Sequence, residues 1–524
     1  MLNNEVSVPR AETAEAVGVS SAAIAAIIRD MEEKQVESHS LMVIRHGKVA
    51  FEAWRKPYGP DILHTMYSVS KSVTATAAGF AVAEGLLTPD TRLVDVFPEY
   101  ANPKDDDLER ITLHSLMTMT AGKNVSLLAD KTSTTWVKDF METKQGYAPG
   151  EGWSYISENT YCVAAMIARV TGMTVTEYLT PRLYEPLGIT KTQWERDSHG
   201  TETGGWGLFL RTEDLAKIAL CYLNGGKYNG KQIIPKGWCK LASANHTSGI
   251  PGSPADGYGY FIWGCNCGKG VYRFDGMFSQ FAYVFPEKDA VVVMTDNEIN
   301  EDKTRRCLED HVDELFFDGE APEAKVIDEL PELEEIEAMP RQTETEKKID
   351  GRTIKITPNP VLQALGFPLS VLTFPAIYMC ADKAGPIDNV KFNFYEDECT
   401  MYWTEGDESN IVHIGLDGEA RRSRIRLGKL NYTLSSSGAW LDEHSFEIWL
   451  RPLEAIGQRR LKFTFRGDNV TVTPSCYPSL QYLATELAPT VQSMIPGQAA
   501  YAMFRLMLLN SYKILDADQK AKLI

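Results

Sequence analysis

A serine and a lysine three residues apart, Ser68 and Lys71, are the first candidates for chemistry in this chain. They stand where an Ala-rich, nearly uncharged stretch over residues 69–84 predicts a helix that is buried on most sides and ends at Gly85. Residues three apart share a helix face, so both side chains point the same way. A serine hydroxyl becomes a nucleophile when a base takes its proton, and a lysine in an apolar wall has a depressed pKa and can be that base. The helix N-terminus would also direct N–H groups at a developing oxyanion.

A second candidate is the Gly- and Pro-rich segment PGEGWSYIS (149–157), which precedes a predicted helix beginning near Thr160. Its Tyr155 and Ser157 would present a phenol and a hydroxyl that can relay a proton and hydrogen-bond a substrate carbonyl. The alternative is a plain turn whose tyrosine packs on the core.

Other motifs favour no further chemistry. Cys265-Asn266-Cys267 lacks the spacing and the second Cys/His pair of a zinc site, so it is interpreted as a turn with two free thiols. His64 is interpreted as a loop or strand-end residue. No metal or cofactor is expected. The chain has no G-x-S-x-G, P-loop or dinucleotide Gly motif, which excludes α/β-hydrolases and nucleotide-binding folds.

Helical and strand patterns follow one another through the first 300 residues. The segment LMVIRHGKVAFEAW (41–54) predicts two strands joined by a turn at His46-Gly47-Lys48. Helical patterns cover 10–35, 113–119, 160–171, 175–185 and 213–223, and consecutive strands are predicted at 258–264, 271–274, 280–286 and 290–297. This order indicates an α+β fold, with a largely antiparallel sheet flanked by helices.

The rest of the chain has a different composition. An acidic, Pro-containing linker is predicted over 319–350, after a first domain at 1–318. Period-2 alternation broken by turn residues then predicts an all-β module over 351–480, either a barrel or a sandwich. A helical tail is predicted over 481–524. The module's tryptophans are interpreted as core residues.

Composition and charge limit the possible partners. The 524 residues include Lys+Arg 53 and Asp+Glu 71, a net charge of -18 that disfavours nucleic acid as the main partner. Nine scattered cysteines favour reduced thiols. The sequence MLNNEVSVPRAETAEAVGVS lacks a secretory signal, and no membrane span is predicted, so a cytoplasmic location is expected. The oligomeric state is left open.

The order SVSK, PGEGWSYIS and FDGMFSQF resembles the serine β-lactamase and penicillin-binding-protein superfamily in its class C-like branch. That branch includes esterases, D-amino-acid peptidases and 6-aminohexanoate-dimer hydrolases. Further segments that look like the family include IRHGKVAFEAW, ITLHSLMTMTAG and GGWGLFLRTEDLAKIALCYLNGG, so the likeness covers about residues 35–300.

The resemblance implies roles for several residues. Ser68 would be the acylated nucleophile, and Lys71 and Tyr155 would share the acid/base work. Ser157 stands where the Tyr-x-Asn motif commonly has asparagine, and this Tyr-x-Ser version is similar to the 6-aminohexanoate-dimer hydrolase group. It points towards linear amides and esters.

The third motif departs further from the family. Where relatives acting on β-lactams carry Lys-Thr-Gly or His-x-Gly, this chain has Phe274-Asp275-Gly276. Gly276 still permits close substrate approach, and the Met277 N–H would pair with that of Ser68 as an oxyanion hole. Arg273 is a weaker candidate for the missing cation, because adjacent strand residues point to opposite faces.

The expected function is therefore a serine hydrolase that cleaves an ester or amide of a small molecule or peptide. One alternative is a D-amino-acid peptidase or carboxypeptidase acting on cell-wall fragments. The other is a non-catalytic descendant that uses the cleft for binding.

Overall fold

A six-stranded antiparallel sheet organises the first half of the chain. In the computed structural model, which describes residues 7–123, 136–327, 330–357, 359–360, 370–372, 387–490 and 498–524, the chain divides into two units, Met1–Pro331 and Glu332–Ile524. The sheet of the first unit has the order β2-β1-β11-β10-β9-β8. Its strands are β1 (Ser38–Arg45), β2 (Lys48–Trp54), β8 (Trp263–Gly264), β9 (Tyr272–Gly276), β10 (Gln280–Phe285) and β11 (Ala290–Asp296).

Smaller sheets and helices complete the first unit. The short strands are β3 (His64–Thr65), β4 (Gln193–Trp194), β5 (Leu208–Leu210), β6 (Lys227–Tyr228) and β7 (Lys231–Gln232), with β5 central in the order β3-β5-β4. The α-helices are α1 (Ser21–Glu33), α2 (Val69–Ala83), α3 (Leu93–Val96), α4 (Leu113–Met117), α5 (Trp136–Glu142), α6 (Ser157–Thr171), α7 (Val175–Leu179), α8 (Thr212–Leu223), α9 (Trp238–Ala242), α10 (Glu301–Glu309) and α11 (Val312–Leu315). Short 3-10 helices lie at Glu15–Val17, Pro98–Tyr100, Leu108–Arg110 and Pro286–Lys288, and a π-helical turn at Thr180–Tyr184.

Both faces of the large sheet are buried. Side chains alternate along β1, so Met42 and Ile44 pack with α2, α6 and α8, while Leu41 and Val43 pack with α1, α10 and α11. Helix α2 lies inside the first of these cores, and its residues from Val69 to Ala81 are all buried. The structure thus confirms the α+β prediction and the buried helix.

Some predicted boundaries are wrong. The predicted helix over 10–35 is reduced to α1, because Ser20 caps its N-terminus by accepting a hydrogen bond from the Ala23 N–H at 3.2 Å. Of the strand predicted at 258–264, only Trp263 and Gly264 form a strand of the sheet, and Tyr258 makes an isolated bridge to Trp263. Phe261 has a positive φ of 57°, which interrupts any extended chain there.

The second unit contains an antiparallel barrel. Its strands, in the described part of the chain, are β12 (Thr353–Ile356), β13 (Ile387–Phe394), β14 (Glu398–Glu405), β15 (Glu408–Gly415), β16 (Arg421–Leu427), β17 (Leu430–Trp440), β18 (Ser445–Pro452), β19 (Gln458–Arg466), β20 (Asn469–Tyr477) and β21 (Gln519–Leu523). They follow the order β15-β14-β13-β12-β21-β20-β19-β18-β17-β16, and a bridge from Gly415 to Ser437 joins β15 to β17. Of the two architectures predicted for the all-β module, a barrel or a sandwich, the structure shows the barrel.

The described part of the second unit also contains helices. They are α12 (Thr343–Ile349), α13 (Leu480–Thr490), α14 (Gln498–Asn510) and α15 (Tyr512–Leu515). The predicted helical tail is incorrect at its end, because β21 pairs with both β12 and β20. The predicted linker over 319–350 spans the point between Pro331 and Glu332 where the two units divide. No helix within the described ranges combines the length and the apolar composition needed to cross a bilayer.

Candidate active site

A tight turn between β3 and α2 presents Ser68. Strand β3 pairs with β5, and the Met66 N–H extends the pairing by donating to the Leu208 carbonyl at 2.8 Å. Tyr67 then has a φ of 41°, which is uncommon for a residue with a side chain. The N–H groups of Val69 and Ser70 close the turn by donating to residues 66 and 67 at 3.0 and 3.1 Å. Ser68 consequently occupies the N-cap position of α2, and its side chain is half-buried.

Lys71 lies one helical turn further on and points back at Ser68. Its ammonium contacts three oxygens, the hydroxyls of Ser68 at 2.8 Å and Ser157 at 3.0 Å and the carbonyl of Gly205 at 2.7 Å. The side chain is 1% exposed. Burial lowers its pKa to about 7, although the negative charges of Glu158 and Asp275 act in the opposite direction. Near neutral pH a neutral amine is therefore present, and such an amine can accept the Ser68 proton.

Tyr155 lies close to both Ser68 and Lys71. Its loop is fixed by backbone hydrogen bonds, including one from the Ser154 N–H to the Met119 carbonyl at 3.0 Å. The Tyr155 side chain hydrogen-bonds that of Ser68, and the ring centroid lies 4.9 Å from Lys71 Nζ. Burial raises the pKa of the Tyr155 phenol well above its ordinary value, so the group is protonated at neutral pH.

Gly276 on β9 packs directly against the Ser68 turn. A Cβ at this position would lie 2.4 Å from the Met66 carbonyl oxygen and 3.2 Å from the Ser68 nitrogen. Only a residue without a side chain allows this approach. Met277 follows in the turn to β10, and within the described ranges neither its N–H nor that of Ser68 donates to a protein acceptor.

Two aromatic residues next to these N–H groups in the chain contact each other. The ring of Tyr67, which precedes Ser68, lies 5.2 Å from the ring of Phe278, which follows Met277. The Phe278 carbonyl in turn accepts a hydrogen bond from Gln280 Nε2 at 2.8 Å. The structure therefore brings together all six residues that the sequence singled out.

Several groups in the site were not predicted from the sequence. These are the Gly205 carbonyl, the carboxylates of Glu158 and Asp275, and an aromatic wall made by Trp153, Tyr258 and Trp263 around Tyr155. Phe274-Asp275-Gly276 contains the one available signal, an acidic residue beside the glycine. The remaining groups come from distant parts of the chain, so no local pattern points to them.

Two other candidate residues, His64 and Arg273, contact partners inside the protein. His64 lies on β3 and pairs with His39, whose Nδ1 is 2.8 Å from His64 Nε2, while burial lowers the His64 pKa to about 3. Arg273 donates from Nε to Asp275 at 2.6 Å, so its charge is already balanced inside the protein. Among the described residues, no group of three or more His, Cys, Asp and Glu side chains is arranged to hold a metal ion.

Comparisons with known proteins identify several relatives of this chain. The 6-aminohexanoate-dimer hydrolase of Paenarthrobacter ureafaciens is 24% identical over 300 residues, which cover 52% of this chain and 76% of the relative. The lovastatin esterase of Penicillium rubens is 30% identical over 161 residues, covering 26% of this chain and 40% of the relative. A solved penicillin-binding protein homolog from Caulobacter crescentus is 16% identical, with a TM-score of 0.46. The match covers 55% of this chain and 97% of the chain of that homolog.

The family comparison covers the whole candidate site. The beta-lactamase family model matches residues 23–310, which is more than half of the chain and includes every residue from Ser68 to Met277. The chain belongs to the beta-lactamase family.

Proposed function

We propose that the protein is a serine hydrolase that cleaves an ester or amide bond through an acyl-enzyme on Ser68. The observation that carries the proposal is the position of Lys71, whose buried Nζ lies 2.8 Å from the Ser68 hydroxyl. A buried amine is costly, and a protein that only bound ligands would have no use for one beside a serine.

The first half of the reaction forms the acyl-enzyme. Ser68 Oγ attacks the substrate carbonyl carbon while its proton passes to the neutral amine of Lys71. Negative charge develops on the carbonyl oxygen, which the N–H groups of Ser68 and Met277 stabilise. Tyr155 donates its phenolic proton to the leaving alcohol or amine and recovers one from Lys71, so that the charge of the site is restored.

The second half releases the product. A water molecule takes the place of the leaving group, and the same residues accept its proton as it attacks the acyl carbon. The ester bond to Ser68 Oγ breaks and the serine recovers its proton. Every step uses side chains and backbone N–H groups of the first unit, which we propose to be the catalytic domain.

Linear esters and amides are the proposed substrate class. Curated relatives include a 6-aminohexanoate-dimer hydrolase and two esterases, and this chain has the Tyr155-x-Ser157 motif. In addition, the strand that lines the site contains Asp275, and its neighbour Arg273 is held by that carboxylate. A substrate carboxylate would meet Asp275 rather than a free cation there, which disfavours β-lactams and D-alanyl peptides.

The test is intact-protein mass after exposure to a fluorophosphonate probe. We expect one adduct on the wild type and none on Ser68→Ala. Ser70→Ala is the matched control, because Ser70 lies in the same motif but its hydroxyl accepts a hydrogen bond from the Leu208 N–H. Circular dichroism of each variant reports whether it folds.

Competition assigns the substrate class. Protection from labelling by a short-chain ester but not by a penicillin supports the proposal. Protection by penicillin alone would favour the D-amino-acid peptidase alternative. No adduct on folded wild-type protein would overturn the hydrolase proposal and favour a non-catalytic binding role.

A further inference from the structure

Two cysteines lie one residue apart at the end of β8. Cys265 follows Gly264 directly, and its N–H donates to the Val271 carbonyl at 3.0 Å, which fixes it opposite the start of β9. The chain bends at 266–268, so that Cys267 turns back and its thiol comes within hydrogen-bond reach of Cys265. Both are free thiols, Cys265 being buried and Cys267 half-buried.

Arg273 lies against the first of these thiols. Its Nη1 donates to Cys265 Sγ at 3.0 Å and its Nε donates to Asp275 at 2.6 Å. The guanidinium is 4% exposed and its Cζ lies 5.8 Å from the centroid of the Trp263 ring. A buried cation of this kind favours negative charge on the atoms it contacts.

The charge of the Cys265 sulfur follows from these contacts. The hydrogen bond from Cys267 and the positive charge of Arg273 lower the pKa of the Cys265 thiol, and they outweigh burial, which acts in the opposite direction. The pKa of Cys267 is raised, chiefly by the same hydrogen bond. Cys265 is thus the better nucleophile of the pair, and Cys267 is a protonated thiol beside it.

We propose that Cys265 and Cys267 form a redox-reactive pair that hydrogen peroxide converts to a disulfide. The Cys265 thiolate attacks one oxygen of the peroxide, the O–O bond breaks, hydroxide leaves, and Cys265 becomes a sulfenic acid. Cys267 then attacks that sulfur, the S–S bond forms, and the hydroxyl leaves as water with the Cys267 proton. Two thiols are oxidised and the peroxide is reduced to two waters.

The pair is connected to the candidate active site through β9. A disulfide removes the ionisable thiol that faces Arg273, whereas the ion pair of that guanidinium with Asp275 remains. Asp275 precedes Gly276, where an added Cβ would lie 2.4 Å from the Met66 carbonyl oxygen and 3.2 Å from the Ser68 nitrogen. Trp263, under Arg273, also lies 5.4 Å from the Tyr155 ring. Oxidation should therefore slow acylation of Ser68, an effect that rests on the function proposed above.

The second unit contains a natural control. Cys476 has a similar arginine neighbour, with Arg459 Nη1 at 2.8 Å from its sulfur. The residues two positions away on either side of it are prolines, Pro474 and Pro478, so the position that Cys267 takes relative to Cys265 is not a cysteine here. Cys476 thus shares the arginine contact, and a second cysteine two residues further along the chain is found at Cys265.

The first readout is thiol chemistry, which does not depend on turnover. The full-length protein is treated with hydrogen peroxide, alkylated and digested with trypsin, and the peptide 241–269, which contains no other cysteine, is weighed. We expect it to lose two hydrogen atoms and to regain them with dithiothreitol. Cys267→Ala should instead trap a dimedone adduct on Cys265, and Cys476→Ala should behave as the wild type. The proposal would be refuted if the peptide stayed reduced, or if its cysteines were oxidised no faster than Cys476.

The second readout is the rate of fluorophosphonate labelling. In the oxidised wild type we expect this rate to fall roughly 3- to 30-fold and to recover on reduction. Cys267→Ala and Cys265→Ala should form no disulfide between these positions. An unchanged rate in fully oxidised protein would overturn the link to Ser68. Absence of labelling in reduced protein would contradict the hydrolase proposal, while the mass of the peptide would still decide the redox proposal.

Discussion

The Lys71 amine lies 2.8 Å from the Ser68 hydroxyl inside a protein interior that leaves the lysine 1% exposed. Burial brings the lysine pKa to about 7, whereas burial raises that of Tyr155. The two acid/base candidates are therefore in opposite states at neutral pH, an available amine base and a protonated phenol. This difference makes the pH dependence of acylation informative.

Acylation should increase as Lys71 loses its proton. We expect the rate of fluorophosphonate labelling to rise about tenfold per pH unit below pH 7 and to level off above it. The charge of Glu158 raises the lysine pKa. Glu158→Gln should therefore shift the rising part of the pH–rate curve to lower pH by roughly half a unit to one unit. Glu151→Gln, at an exposed position of the nearby loop, should leave the pH–rate curve unchanged. If the labelling rate of the wild type continued to rise up to about pH 10, the pKa of Lys71 would not be lowered.

The same pKa shift predicts how stability depends on pH. Below pH 7 Lys71 is charged in both the folded and unfolded protein, so the full cost of burying the charge is present. Between pH 7 and 10.5 the folded protein has lost this proton and the unfolded chain has not, so stability rises with pH. The shift from 10.5 to about 7 corresponds to roughly 5 kcal/mol.

Lys71→Met should therefore stabilise the protein most at low pH. We expect the free energy of unfolding to increase by about 1–3 kcal/mol at pH 6.5. The gain is limited because the oxygens of Ser68, Ser157 and Gly205 lose their hydrogen-bond donor. The gain should shrink towards pH 10. Urea unfolding at pH 6.5 and 9.5 measures it, with Lys48→Met at an exposed position as the control. A difference that grows with pH would show the opposite sign of linkage.

Gly276→Ala tests the packing of β9 on the Ser68 turn. The added Cβ would meet the Met66 carbonyl at 2.4 Å, and this carbonyl already accepts the Val69 N–H that closes the turn. The strand must therefore shift away from Ser68, and a displacement near 1 Å lowers the acylation rate about 100-fold. Gly59→Ala is the matched control, since no atom lies within 4 Å of its Cβ position. Equal labelling rates in the two variants would mean that β9 does not position the nucleophile.

Local sequence patterns were enough to predict that Ser68 and Lys71 lie side by side at the start of a buried helix. Ser68 and Lys71 share a helix face whatever surrounds them, and the uncharged stretch that follows can only be stable when buried, so α2 was predictable. Strands β10 and β11 also match their predicted segments closely, because alternating and continuous apolar runs of that length specify buried strands.

Contacts between distant segments were not predictable in this way. The Gly205 carbonyl reaches Lys71 from 134 positions away, and nothing local marks a backbone oxygen as its partner. Residues 519–523 form β21 because two neighbouring strands offer pairing edges on both sides, a tertiary effect that overrides the helical pattern before them. Phe261 interrupts its predicted strand because its N–H is held by the Met117 carbonyl at 3.0 Å.

Tyr155→Phe separates the roles of the two acid/base residues. Because the phenol is protonated, its loss should remove a proton donor for the leaving group rather than the base that activates Ser68. We expect Lys71→Ala to lower labelling about 1000-fold. Tyr155→Phe should slow hydrolysis of an activated aryl ester only about tenfold, but that of an alkyl amide roughly 100-fold or more, because a poor leaving group needs the proton.

The ratio of amide to ester hydrolysis is the deciding measurement for this tyrosine. Tyr258→Phe is the matched control, as its ring is 6.2 Å from that of Tyr155 and belongs to the same aromatic wall. It should change both rates by the same factor. If Tyr155→Phe abolished fluorophosphonate labelling as completely as Lys71→Ala, the phenol would have to take the serine proton itself. The raised pKa of Tyr155 would then have to fall when substrate binds, and the assignment of Lys71 as the base would be wrong.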